Sequence, residues 1–294
     1  MIKRVIEISN QSYCYKKNAQ LLVEQDGKQV AKIPIEDIGV LIFDNHSIVI
    51  SAGLTVACQK NNIAVVFCDE RHLPYSLLLP LVDANSLHSK VLLIQVAAKK
   101  PLKKQLWKKI VETKIHYQLN HLNKRGIENR RLERVANTVQ SGDPKNNEAQ
   151  AAKLYWRLLF GEQFRRDVDA SGINSMLNYG YAIIRAMIAR AIVSSGLHPA
   201  FGFHHHNQYN GLNLADDLME PFRSWIDEKV FDLVDRGVDE INKESKEELL
   251  KLVGAQVRWK DNSMPFMVCS HEYINQFKKA LSGDKFKLEF PSLK

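Results

Sequence analysis

The sequence predicts an α+β protein of two domains: a small β-rich, sandwich-like unit over residues 1–82 and a larger all-α unit over residues 83–294. Three observations carry that prediction. Short runs of β-branched, Leu and aromatic residues crowd the first 80 positions. Apolar residues beyond them recur at three- and four-residue steps. A length of 294 residues favours about two domains over one, and 45% apolar residues is ample for packed cores, which excludes a disordered chain.

Taken in order, Arg4–Ser9 alternates weakly, and Ser12–Lys16, Gln20–Glu24 and Gln29–Ile33 read as short strands. Asp26-Gly27 joins the last two as a hairpin, because both residue types tolerate the left-handed backbone of a two-residue turn. Ile38–Phe43 and Ile63–Cys68 are almost unbroken apolar runs, the pattern of strands buried on both faces. Between them Ser51 caps a helix running to about Lys60. Pro74, Pro80 and the polar 83–86 segment mark the boundary. Helices are then expected at Leu87–Ala98, from Pro101 to near Gly126, and at Arg130–Val139, Asn147–Phe160, Gly172–Ser194, Leu214–Arg236, Lys246–Leu252 and His271–Leu281. The Pro101 helix shows an apolar stripe at Leu102, Leu106, Ile110, Thr113 and Tyr117.

Lys and Arg total 41 against 33 Asp and Glu, a formal charge of +8, which makes nucleic acid the first partner to consider and is equally compatible with a basic soluble enzyme. Cys14, Cys58, Cys68 and Cys269 form no CxxC pair and sit in apolar patterns, so buried free thiols in a reducing compartment are expected. The N-terminus lacks the apolar core of a signal peptide, and the most apolar helix is interrupted by Arg185 and Arg190. No membrane association and a cytoplasmic location follow as expectations.

The run Gly202–Arg223, GFHHHNQYNGLNLADDLMEPFR, carries the most chemistry. Imidazole and carboxylate together suit divalent metals. In extended chain His204 and His206 share one side and His205 takes the other. On a helix Glu220 pairs with Asp217 at i+3 and with Asp216 at i+4, so spacing alone leaves both open. Glu148 lies in the first turn of a helix, beside the stripe Ala149, Ala152, Tyr155 and Trp156. A carboxylate there suits a helix–helix junction, and equally suits the helix dipole. Lys99–Lys109 (KKPLKKQLWKK) places Lys100, Lys104 and Lys108 in one stripe, which fits phosphate contact as well as it fits a solvated face. Arg165 and Arg166 are further basic candidates, and Asn174, Asn178 and Tyr179 are polar groups within an apolar helix that need partners.

Three separated segments, Glu148 with the AQAAKLYW that follows it, Asn174–Tyr181 (NSMLNYGY) and Gly202–Arg223, resemble the CRISPR-associated spacer-acquisition integrase, the larger, metal-binding protein of the adaptation complex. The form HHHNQYNGLNLADDLMEPFR resembles the branch that accompanies Cas9-type systems. The resemblance spans nearly the whole chain. It implies Mg2+ or Mn2+ held by Glu148, His205 and Glu220, with Asp217 at a further acidic position for which Asp216 is a rival and with His204 and His206 as neighbours of the histidine position. It also implies a homodimer, two such dimers flanking a dimer of a small partner protein on double-stranded DNA. The implied reaction is transesterification from a 3′-hydroxyl, with stand-alone phosphodiesterase or non-catalytic DNA-binding assembly subunit as the alternatives.

Overall fold

The computed structural model describes residues 3–80, 85–284 and 287–294. Its first part runs β1 (Arg4–Ile8), β2 (Tyr13–Lys17), β3 (Gln20–Gln25), β4 (Lys28–Pro34), β5 (Ile38–Phe43), β6 (Val49–Ile50), α1 (Ala52–Lys60), β7 (Ala64–Cys68) and β8 (Pro74–Leu78). Two four-stranded sheets form, in the orders β1-β5-β7-β8 and β4-β3-β2-β6. In the first, β1, β5 and β7 are parallel and β8 is antiparallel. The Asp26-Gly27 turn joins β3 to β4 with both residues at positive φ, 50° and 72°. The β2–β3 turn uses Asn18 and Ala19 in the same region, at 48° and 58°, a conformation rarely met by Ala and therefore invisible to turn chemistry.

From Val40 onward in β5, and along β7, the period of two decides where each apolar side chain goes. Ile38, Leu41, Phe43, Ile63 and Val65 pack between the two sheets with Cys14, Leu21, Val23 and Leu54. Val40, Ile42, Ala64, Val66 and Cys68 face the other way, into the helical core. This is why β5 is buried at every residue. The sandwich is therefore continuous with the helices through one shared sheet. The expected boundary after residue 82 lies outside the described residues.

The helical part contains α2 (His88–Ala97), α3 (Lys100–Lys124), α4 (Arg130–Asn137), α5 (Asn147–Phe160), α6 (Ile173–Ser195), α7 (Asn213–Met219), α8 (Arg223–Asp235), α9 (Lys243–Gly254) and α10 (Phe266–Leu281). Helix α6 is the axle: Ile183, Ile184, Met187 and Ile188 are at most 1% exposed. Gly180 permits a close crossing, since a Cβ there would lie 2.6 Å from Cγ2 of Ile226 on α8. A buried ion cluster closes the seam with the sheet. Lys246 on α9 pairs with Asp44 and, at 3.5 Å, with Glu7, whose other oxygen accepts the Tyr179 hydroxyl at 3.4 Å.

The expected α+β class holds, with departures in detail. The single helix expected over Leu214–Arg236 is two, separated by a 3-10 turn at Glu220–Phe222, because Pro221 has no N–H to continue the ladder. The C-terminal part is not wholly helical. Strands β9 (Gln256–Trp259), β10 (Asn262–Pro265) and β11 (Ser292–Leu293) form a three-stranded sheet, and α10 begins five residues before His271. All four cysteines are free and buried. Among the described residues, no helix is long and apolar enough to cross a membrane.

Candidate metal and phosphodiester site

Glu148 is freed for use by its neighbours. Asn146 (φ 52°) caps α5 through the Ala149 N–H, and the Asp143 carboxylate accepts the N–H groups of Asn147 at 2.8 Å and Glu148 at 2.9 Å. With the helix end already satisfied, the Glu148 side chain reaches α3, where Oε1 accepts from Nζ of Lys114. The Pro221 break turns Glu220 toward the same helix. Its Oε2 accepts from Lys114 at 2.5 Å and its Oε1 from Nε of Arg223 at 2.8 Å. Glu148 and Glu220, 72 positions apart in the chain, thus converge on one ammonium. Burial pushes the Glu220 carboxyl up, but Arg223 and Lys114 outweigh it and hold the group down at about 2. Burial likewise opposes the Lys114 charge, and Glu220 and Glu148 more than compensate, raising its pKa above the usual lysine value.

His205 lies on the loop ahead of α7, within electrostatic reach of Glu220. Asp217, fully buried, accepts the backbone N–H groups of Phe203 at 2.5 Å, His204 at 3.0 Å and His205 at 3.1 Å, and also bonds Nδ1 of the His205 ring at 2.6 Å. The ring is therefore clamped through Nδ1, leaving Nε2 as the nitrogen open to another partner. The Asp217 bond, with added attraction from Glu220 and Asp216, raises the His205 pKa against the opposing effect of burial. Gly202 is required here, since a Cβ would lie 2.5 Å from the His205 carbonyl and 2.8 Å from Asp217 Oδ2. His204 instead stacks flat on Trp107, with centroids 4.2 Å apart and planes 2° apart. His206 borders a separate surface hollow with Lys103. His205 is thus the ring tied to Asp217; His204 and His206 do not share one side as expected of extended chain, because the loop bends here, His204 and His205 both pack against Trp107, and His206 borders the other hollow.

The two aspartates have separate tasks. Asp216 is held by Nε of Arg185 at 2.6 Å, by Nη2 at 2.8 Å and by Asn210 at 2.6 Å. Asp217 serves the histidine loop and takes no part in the Lys114 contacts, so the i+3 carboxylate pair with Glu220 does not form. The further acidic position that the resemblance gives to Asp217 holds a carboxylate bonded to the loop and the ring.

Beyond Lys114 opens a cleft of about 260 Å³ lined by Gln118, Trp156, Arg166, Tyr181, Arg223 and Asp227 as well as the two glutamates. The Arg166 and Arg223 guanidinium carbons lie 5.4 and 4.6 Å from the centroid of the Tyr181 ring. Asn174 and Asn178 hold Arg166 at 2.8 and 2.5 Å, which explains these polar groups in an apolar helix. Arg165 turns to its own loop carbonyls at Glu162 and Phe164 and lies outside the cleft lining. Lys100 and Lys104 are exposed, and Lys108 pairs with Glu112 at 3.4 Å. Lys114, Tyr181, Arg223 and Asp227 were not anticipated. Lys114 carries a readable signal, four residues beyond Ile110 on the buried side of α3.

Among the described residues, no three His, Cys, Asp or Glu side chains form a ready-made cage. Yet the donor set suits a hard divalent cation: two carboxylates already converge on a cation, and an oriented imidazole lies within the field of Glu220.

A profile of the family described as "CRISPR associated protein Cas1" matches residues 6–252. The CRISPR-associated endonuclease Cas1 of Neisseria meningitidis serogroup C (strain 8013) is 34% identical over 298 aligned residues, covering 100% of this chain and 97% of that protein. Among solved structures, a casposase bound to integration product superposes with TM-score 0.80 at 22% identity, covering 98% of this chain and 93% of the other. A Cas6-RT-Cas1–Cas2 complex does so with TM-score 0.75 at 16% identity, covering 96% of this chain and 35% of the other. These two likenesses concern the fold. The profile and the full-length relative carry more: the chain belongs to the Cas1 family of CRISPR-associated proteins.

Proposed function

We propose that the protein is a metal-dependent DNA integrase and endonuclease of CRISPR adaptation. The observation that carries this reading is the convergence of Glu148 and Glu220 at one cation position, with His205 within electrostatic reach of Glu220, in a chain similar over its full length to a protein named an endonuclease. In the reaction, a 3′-hydroxyl of a short captured fragment attacks a phosphodiester at the edge of a repeat. One P–O bond forms, one breaks, and a 3′-hydroxyl leaves, so the bond count is conserved without ATP. Water in place of the hydroxyl gives nuclease activity.

Glu148, His205 and Glu220 would hold Mg2+ or Mn2+, which supplies charge stabilisation at a phosphoryl oxygen and at the attacking or leaving oxygen. Asp217 keeps the His205 ring and tautomer in place. Arg166 and Arg223 present fixed positive charge to a phosphate in the cleft, and preorganised charge of this kind is a large catalytic term. Lys100, Lys104 and Lys108 supply sequence-independent affinity for the duplex. The protein would act in the cytoplasm as a homodimer, two dimers flanking a dimer of a small partner. The similar complex that contains Cas2 supports association with a second protein.

The test combines the protein, its small partner, a labelled short duplex, a repeat-containing plasmid and Mn2+. Half-site products that depend on Glu148, His205 and Glu220 are expected. Cleavage without joining would favour a phosphodiesterase, and DNA binding with no metal-dependent product would favour an assembly subunit.

A further inference from the structure

Lys114 is an unusual occupant of its position. Helix α3 buries Ile110, Val111 and Ile115 at 0% exposure, and the ammonium emerging from that face ends between two carboxylates, Glu148 and Glu220. Its side chain is 7% exposed, so the charge meets water only at the edge of the cleft that it helps to line. We infer that Lys114 is an internal counter-cation that fills the divalent-metal position of the metal-free protein and must withdraw for metal to bind. The inference rests on the metal reading above and extends it to how the site is loaded.

Charge and space both require it. Lys114 and Arg223 balance Glu148 and Glu220, so the group is neutral as it stands. A divalent ion adds two charges and needs carboxylate oxygens at about 2.0–2.6 Å, in the space between oxygens that both now bond the same ammonium. One cation must move. Arg223 is the fixed one, since its planar guanidinium bonds Glu220 and lies 4.6 Å from the centroid of the Tyr181 ring. Lys114 carries its charge on a flexible four-carbon stem and adjoins the open cleft. Without this lysine, metal-free protein would hold the buried Glu220 carboxylate beside the partly exposed Glu148 carboxylate with only Arg223 to balance them. The ammonium thus keeps the site assembled while lowering its affinity for metal by direct competition. A phosphate entering the cleft gives the withdrawn ammonium a new partner, so DNA and metal should each favour the other's binding.

Mn2+ binding to the full chain without DNA, measured by calorimetry or by the free-Mn2+ EPR signal, tests this. Lys114→Met and Lys114→Gln are both expected to bind Mn2+ at least tenfold more tightly than the unaltered protein, while Glu148→Gln binds more weakly. Thermal midpoints separate competition from a structural role: both Lys114 variants should melt lower in EDTA and gain more from Mn2+ than the parent. Equal or weaker Mn2+ affinity in both variants would overturn the inference and leave the metal site standing. No Mn2+ bound by any form would defeat the metal reading and this inference with it. A measurement free of substitutions uses amine acylation of the unaltered protein, read by mass spectrometry. Lys114 should be protected without Mn2+ and labelled at saturating Mn2+; protection unchanged by the metal would refute its withdrawal.

Discussion

The Asp217 carboxylate bonds Nδ1 of His205 at 2.6 Å while lying fully buried beneath the loop that carries the ring. The same two oxygens accept three successive backbone N–H groups of that loop. Asp217 is thus a positioning residue that sets the ring and the loop together. Asp217→Asn exchanges one acceptor for an amide that cannot accept. Metal affinity should fall by about 10- to 100-fold, the usual effect of losing the group that orients a ligand histidine. Titration with Mn2+ checks it, with Asp216→Asn as the comparison. Asp216 serves Arg185 and Asn210, so its substitution should reduce stability and leave the metal constant almost unchanged. Equal effects from the two substitutions would contradict the division of labour.

Glu220 requires a more careful substitution than spacing alone suggests. Alanine would strand Lys114 and Arg223, two cations that both bond this carboxylate, and removing one partner of a buried pair costs about 3–5 kcal/mol. Glu220→Gln keeps the volume and one acceptor. It should lower half-site joining by roughly a hundredfold or more while DNA affinity stays within about twofold of the parent. Glu220→Ala should add a clear drop in thermal midpoint. A Gln variant that joins strands at the parental rate would remove Glu220 from the chemistry.

What could be read from the residues divides along physical lines. Strands β3, β4, β5 and β7 were legible because apolar periodicity and the Asp26-Gly27 turn are local signals. Strands β6, β8, β10 and β11 are short or contain Pro74 or Pro265, so nothing local separates them from loop. Glu148, His205 and Glu220 were legible as parts of motifs, but the meeting point of the two glutamates was not, because it is a lysine on another helix. In a run holding many solvent-facing lysines, Lys114 reads as one more. Only its register with Ile110 and Gln118 marks it as inward, and the expected stripe through Thr113 and Tyr117 pointed to the neighbouring edge. Asp216 and Asp217 could not be told apart by spacing, since their partners, Arg185 and the histidine loop, come from elsewhere in the chain.

The basic residues divide into two kinds with separable effects. Lys100 and Lys104 are exposed and unpaired by any described acid, and Lys108 shares Glu112. Replacing all three with alanine should flatten the dependence of log binding constant on log salt by about 2 to 3. Arg166 lies in the cleft, held by Asn174 and Asn178. Arg166→Ala should reduce joining by far more than it reduces DNA affinity, whereas Arg165→Ala should change the salt slope by at most about 1 and leave joining nearly intact. Fluorescence anisotropy over a salt series, beside the joining assay, resolves the four forms. An unchanged slope for the triple variant would make the lysine stripe ordinary surface.

Asp227 supplies a prediction in pH. Its carboxyl is 1% exposed at the base of the cleft and accepts the Tyr181 hydroxyl. Burial pushes its pKa up to about 7 from 3.8, against the pull of Tyr181 and Arg223. The folded protein therefore holds this proton more firmly than the unfolded chain. The associated stability is fully present below about pH 4 and is lost as pH rises through about 7, by at most about 4 kcal/mol for a shift of roughly three pH units. Asp227→Asn stays neutral throughout and should lack that loss. His121 and His271, held down to about 4 by burial, act oppositely on the acid side, but they are common to both proteins and cancel in the difference. The midpoint of the variant minus that of the parent should therefore climb between pH 5 and pH 8 and level off above. A difference that stays flat across that range would mean that the Asp227 carboxylate is already charged at pH 5, with Arg223 and Tyr181 outweighing its burial.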